Sequence, residues 1–201
     1  LMLLISGTFL HHFSKGQDTS VNSGIIQFET NRIAKVGAAG QQFTQKLKIS
    51  TTYHFLRNKA RYESVLMGNI RSEVYLETED KEHYQALTHR GKDYAVIIPT
   101  NGEVVKVLDE TREILGYTCT KALVRYDDKE ATVYFTQLIP YNHSPVGNFT
   151  LGGAVLAFES EEINAIATTI DPAGISDQEV TLSRDRKKIS LEEKKALLAS
   201  R

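Results

Sequence analysis

Beyond a polar stretch at Asp18–Ser23, apolar and polar residues mostly alternate with a period of two, which predicts β-strands rather than helices. The pattern is clearest over Lys46–Arg57. There Leu47, Ile49, Thr51, Tyr53 and Phe55 fall on one face, and Lys46, Lys48, Ser50, Thr52 and His54 on the other. A half-buried strand with one wet side has this spacing. Further strands are predicted over Ile25–Thr30, Ala60–Met67, Ser72–Thr78, His83–His89, Asp93–Ile98, Glu103–Leu108, Tyr117–Tyr126, Ala131–Gln137, Leu151–Phe158 and Ile163–Ile170. Their spacing of roughly ten residues fits an all-β meander and not βαβ units.

Turn chemistry separates these segments. Arg57-Asn58-Lys59 is polar and predicts a hairpin into Ala60–Met67. Pro99-Thr100-Asn101-Gly102 contains an Asn-Gly pair, which tolerates positive φ at both central residues and predicts a tight hairpin. Asp127-Asp128-Lys129 predicts a similar break. Helical character is confined to the C-terminus, where Ser190 and Glu193 have capping-box spacing ahead of Leu191, Leu197 and Leu198. The basic run Arg184, Arg186, Lys187 and Lys188, interrupted by Asp185, reads as a solvated linker.

The first residues differ from the rest. Leu1–Leu10 is an apolar run too short to span a bilayer, and Ser14 and Gly16 supply a small-x-small pattern before Gln17. Residues 1–16 are therefore expected to be a signal peptide whose basic start precedes Leu1, and 17–201 a single β domain ending in a short helix. Export follows, with no integral membrane segment in the mature chain.

Composition narrows the classes further. With 41% hydrophobic and 24% charged residues, the chain is neither disordered nor a membrane bundle. A formal charge of −1 gives no field favouring nucleic acid. The one cysteine, Cys119, forms no intramolecular disulfide and, inside an apolar strand, is expected to be buried and inert. No G-x-G-x-x-G, P-loop, H-E-x-x-H or Cys-x-x-Cys pattern occurs. His83 and His89 share a strand face but stand ~20 Å apart, too far to share a metal. Accordingly no catalytic residue, metal site or cofactor is assigned. Asn142-His143-Ser144 and Asn148-Phe149-Thr150 match the N-glycosylation pattern and are read as chance matches.

Three segments resemble the GLPGLI family of exported bacterial proteins. Thr111 to Ala122 resembles its "T-x-x-I-x-G-Y-x-C-x-K-A" segment, and Val133 to Pro140 is similar to its "W-Y-T-x-x-I-P" strand, with Tyr134 in the Trp position. Leu151-Gly152-Gly153-Ala154-Val155-Leu156 stands where the name-giving motif falls. The stretch from Tyr53 to Glu63 is also similar to related exported domains that are lipoprotein-carrier-like. The resemblance implies a periplasmic or cell-envelope location and a strongly curved antiparallel sheet or half-barrel, here of about ten strands. It brings no catalytic residues. Gly116 and Gly153 suit close backbone approach in such a scaffold.

On that fold the face of Leu47, Ile49, Tyr53 and Phe55 is the expected binding surface for a lipid, lipoprotein or other apolar ligand. The alternatives are a structural or interaction module with a filled core, docking partners at loops such as Asn142–Phe149, and a hydrolase gathering His54, His83, His89 or His143 beside a carboxylate. A cavity near ~300 Å³ or larger distinguishes a ligand site from filled core.

Overall fold

The computed structural model describes residues 20–36, 43–66, 69–77 and 82–200, so the expected signal peptide lies outside the described residues. The strands are β1 (Ser23–Val36), β2 (Phe43–Leu56), β3 (Lys59–Leu66), β4 (Asn69–Glu77), β5 (Glu82–His89), β6 (Lys92–Ile98), β7 (Gly102–Ile114), β8 (Tyr117–Tyr126), β9 (Lys129–Thr136), β10 (Ala154–Glu159), β11 (Ile163–Pro172) and β12 (Lys187–Ile189). Two short helices, α1 (Asp177–Val180) and α2 (Leu191–Ala199), lie near the C-terminus. All twelve strands belong to one sheet, in the order β12-β6-β5-β4-β3-β2-β1-β11-β10-β9-β8-β7. Every ladder is antiparallel except that between β12 and β6. No helix among the described residues is long and apolar enough to cross a membrane.

The connectivity requires the sheet to roll. β6 and β7 stand ten places apart in the strand order, which in a flat sheet is ~48 Å at ~4.8 Å per strand. Only Pro99, Thr100 and Asn101 join them, and so short a connector reaches at most ~14 Å. The sheet therefore curls until its two ends meet, and no ladder closes the seam among the described residues.

Two hairpins follow the expected chemistry, and a third was not foreseen. Arg57-Asn58 joins β2 to β3, and Asp127 and Asp128, at φ 47° and 63°, join β8 to β9. Leu115 and Gly116, at φ 52° and 81°, join β7 to β8. Both central residues at positive φ match the twist of the flanking strands. Gly116 serves this backbone conformation and not close approach, since a Cβ there would meet nothing within 4 Å. Gly153 does meet close backbone: a Cβ would overlap the Thr136 carbonyl.

Two expectations are corrected. Asn101-Gly102 is not a hairpin turn; neither residue has positive φ, and β6 and β7 do not pair. The basic run is not wholly linker, because Lys187–Ile189 forms the edge strand β12 parallel to β6, with Ile189 buried. Three residues are too few for periodicity to reveal. The terminal helix is as expected: the Ser190 side chain accepts from the Glu193 N–H at 3.1 Å, and the Ser190 N–H donates to the Glu193 carboxylate at 2.7 Å.

Two clusters make most of the core. One gathers Ile26, Phe28, Tyr53, Phe55, Cys119 and Leu156 with Ile139 and Tyr141. The other gathers Val124, Val133, Phe135 and Phe158 with Val146 and Phe149. The irregular connection from 137 to 153, between β9 and β10, contributes to both and fills the roll.

Candidate functional site

The structure divides the expected ligand-binding face. Tyr53 and Phe55 are 1% and 0% exposed, whereas Leu47 and Ile49, nearer the start of β2, are half-buried. Phe55 sits between two small residues, Gly24 on β1 and Ala60 on β3, which leave room for its ring. Tyr141 stacks on it at 5.8 Å and lies 5.4 Å from Tyr53, which also touches Phe28 at 5.3 Å and Tyr62 at 4.9 Å. The Tyr53 hydroxyl donates to the Ser144 carbonyl at 3.3 Å. Burial holds the phenols of Tyr53 and Tyr141 well above the ordinary tyrosine range. This part of the inner face is packed with aromatic rings, and none of the four expected residues lines the pockets described next.

One pocket lies where the ends of the roll meet. This pocket, of about 330 Å³, is bounded by His83 of β5, Thr100, the start of β7 at Gly102–Val104, and the connection at Asn142, His143 and Asn148–Thr150. A recess of about 150 Å³ adjoins it, sharing His83, His143 and Asn148 and reaching Tyr62, Val74 and Leu76. Gly102 allows the close seating of one wall, since a Cβ there would stand 2.6 Å from a ring carbon of Phe149.

Hydrogen bonds to backbone fix this region. The Asn101 side-chain oxygen accepts from the Asn148 N–H at 2.8 Å, and its amide donates to Asp127 at 3.2 Å. Asn148 in turn donates to the carbonyls of Ile98 and Pro99 at 3.3 and 3.1 Å. Asn142 accepts from the N–H groups of Leu151 and Gly152, both at 2.7 Å. Both asparagines of the glycosylation-like patterns are thus engaged in holding the loop.

Of the histidines the hydrolase alternative would gather, the structure brings His83 and His143 together, although one lies on a strand and the other in an irregular connection with no period to read. Their rings meet edge to face at 4.7 Å, at 8% and 3% exposure, with Tyr141 5.2 Å from His143. Burial pushes His83 down to about 4, and burial together with the neighbouring His83 pushes His143 down to about 3. Both rings are neutral near pH 7, and His143 Nε2 has no hydrogen-bond partner among the described residues. The one charged residue lining the pocket of about 330 Å³, Glu103, is ion-paired with Arg125. No group of three His, Cys, Asp or Glu side chains able to hold a metal occurs among the described residues. The arrangement suits uncharged matter: an aromatic wall, neutral imidazoles, amides and hydroxyls.

Other expected residues lie elsewhere. His54 and His89 line neither pocket. Cys119 is 0% exposed, its thiol pushed up to about 12 by burial, with Arg112 acting weakly in the opposite direction. The pocket side of the connection carries a sequence signal only in its density of Asn, His, Pro and Gly over Pro140–Asn148.

No family model and no curated protein matches the chain. Solved structures do. Two crystal forms of PNGF-II, in space groups C2 and P21, each superpose with a TM-score of 0.60, at 13% and 14% sequence identity. The likeness covers 89% of this chain and 33% of PNGF-II in both, so this chain spans about a third of that protein's length. At such identity the likeness is one of fold.

Proposed function

We propose that this chain is a non-catalytic binding domain of an exported bacterial envelope protein, holding a neutral, largely apolar group in the pocket beside His83 and His143. The group belongs to the class of a lipid, the lipid-bearing end of a lipoprotein or another apolar ligand. The observation that carries the reading is the pocket of about 330 Å³, walled by Phe149 and Val104, whose one charged lining residue is already paired. That volume lies at the lower end of small-ligand sites. The GLPGLI-like segments and the apolar start of the sequence support the envelope location.

Native mass spectrometry of protein purified without detergent from its own host tests the proposal. The expected result is a single class of small apolar molecule carried by the wild type and lost in Val104→Arg, which places a long cation at the half-open pocket wall. Wild-type protein that carries nothing, or a variant that carries the same load, removes the reading. A second reading is favoured by one specific observation, the aromatic packing of Tyr53 and Phe55 against Tyr141: a filled inner face suits an interaction module whose partners dock at the surface.

A further inference from the structure

His83, His143 and Asn148 line both the pocket and the adjoining recess, so they stand where the two volumes join. No charged residue lines the recess. Several of its polar side chains are committed to the scaffold. The Asn101 side chain accepts from the Asn148 N–H and donates to Asp127, and the Asn148 amide nitrogen donates to the carbonyls of Ile98 and Pro99. The Ser144 hydroxyl donates to the Val146 carbonyl at 2.6 Å and accepts from the Val146 N–H at 3.2 Å. Three groups are left over. The Tyr62 phenol and the His83 and His143 imidazoles take part in no hydrogen bond among the described residues. All three are uncharged near pH 7, since burial holds both imidazoles down and the phenol up at about 12. Each therefore has one hydrogen to donate and a lone pair to accept with.

We propose that the recess is the head-group subsite of the pocket: it takes a small uncharged group that both donates and accepts hydrogen bonds, a hydroxyl or a carboxamide, at the end of a ligand whose apolar body lies against Val104 and Phe149. This rests on the reading of the pocket as an apolar-ligand site, and it gives that ligand a polar end and a direction. Buried polar groups in folded proteins are nearly always paired. Three of them left open around one recess of about 150 Å³ are matched by a partner that brings a donor and an acceptor together.

Other ends fit the recess less well. A hydrocarbon end would shut the phenol and the imidazoles away from water without replacing its hydrogen bonds. A carboxylate or ammonium would leave water for a lining that holds no opposite charge, which is the costlier exchange. The one charge on the pocket lining, Glu103, is already paired with Arg125 and offers no counter-ion.

Octanamide, 1-octanol, octanoate and octylammonium carry different heads on the same alkyl chain. Each is titrated into the full chain near neutral pH by calorimetry, with the imidazole resonances of His83 and His143 followed alongside. The expected result is that octanamide or 1-octanol binds at least about tenfold more tightly than either ion and moves both imidazoles; the tighter of the two names the head. Tyr62→Phe removes one hydroxyl and keeps the ring that packs on Tyr53 at 4.9 Å. It weakens the preferred probe about fivefold, the scale of one hydrogen bond, and His83→Phe weakens it at least as much, while octanoate changes little in either variant. Equal affinity for all four probes overturns the inference, because the recess then holds only water, and leaves the apolar-ligand reading in place. Tighter binding of an ion, a preference that moves neither imidazole, or one that survives both substitutions overturns it too. Binding of none of the four also removes it, and the load found by native mass spectrometry then decides whether the apolar-ligand reading falls as well.

Discussion

Acid should unfold this protein through its paired histidines. An unfolded histidine takes up a proton near pH 6.5, while in the fold His83 and His143 are held down to about 4 and about 3. Above pH 6.5 both rings are neutral in both states and contribute nothing to the pH dependence. As the pH falls below that value the unfolded chain binds two protons that the folded chain refuses, so stability is lost until the folded rings themselves titrate. Each ring costs ~1.4 kcal/mol per pH unit in this window, or about 2 kcal/mol at pH 5 and about 4 kcal/mol for the pair. That is a large share of the ~5–15 kcal/mol typical of a domain. The rings touch, so the two protons titrate as a property of the pair. The chain has no tryptophan and nine tyrosines, which makes tyrosine fluorescence the convenient probe for urea unfolding. Midpoints for the wild type should fall steeply between about pH 7 and about pH 5, and those of a His83→Gln/His143→Asn double variant much less. His54, also lowered by burial, is present in both proteins and cancels from the comparison. An equal fall in both proteins would refute the reasoning.

Cys119, fully buried with a raised thiol, should react with iodoacetamide at neutral pH far more slowly in the folded protein than in urea; equal rates would place it on the surface. Phe55→Asp puts an unpaired carboxylate against Tyr141 in filled core, at a cost of several kcal/mol, and should abolish cooperative unfolding by circular dichroism. A Phe55→Asp protein with a near wild-type midpoint would contradict the packing described for that face. Gly153→Ala drives a methyl into the Thr136 carbonyl and should cost roughly 1–3 kcal/mol by urea titration; a neutral effect would mean that the β9–β10 junction yields easily.

Period-two alternation made most of the strands legible, because a strand with one buried and one wet face writes its geometry into the sequence. The two-residue spacing of Tyr53 and Phe55 sets them on one face, and that part of the face is buried. What covers it was not legible. Ile139 and Tyr141 come from an irregular connection with no period to read, and they arrive across some ninety positions of chain, as the Tyr53–Ser144 separation of 91 shows. Local rules also misread Asn101-Gly102. Asn-Gly is a strong hairpin signal, yet here Asn101 serves through its side-chain amide, which joins the β6–β7 link to the β8–β9 turn and to the filling loop. The histidine pair was hidden for the same reason: sixty positions separate His83 from His143, and only the rolled sheet brings them together.

The position of the pocket follows from that roll. A three-residue link forces β6 and β7 together although they are not ladder partners, so the seam is bridged by the 137–153 connection instead of by strand hydrogen bonds. Where the connection fits, at Ile139 and Tyr141, the interior is solid; where it turns away, at His143 and from Asn148 to Thr150, space is left. The walls of this space are of two kinds. Asn101, Gly102, Asn142 and Asn148 hold backbone to backbone or permit a ring to sit close, and a change at any of them moves the loop itself. Thr100, Val104 and Thr150 are exposed, and none makes a described hydrogen bond that holds the loop. On the proposed binding reading, selectivity can therefore change at the second set without disturbing the first.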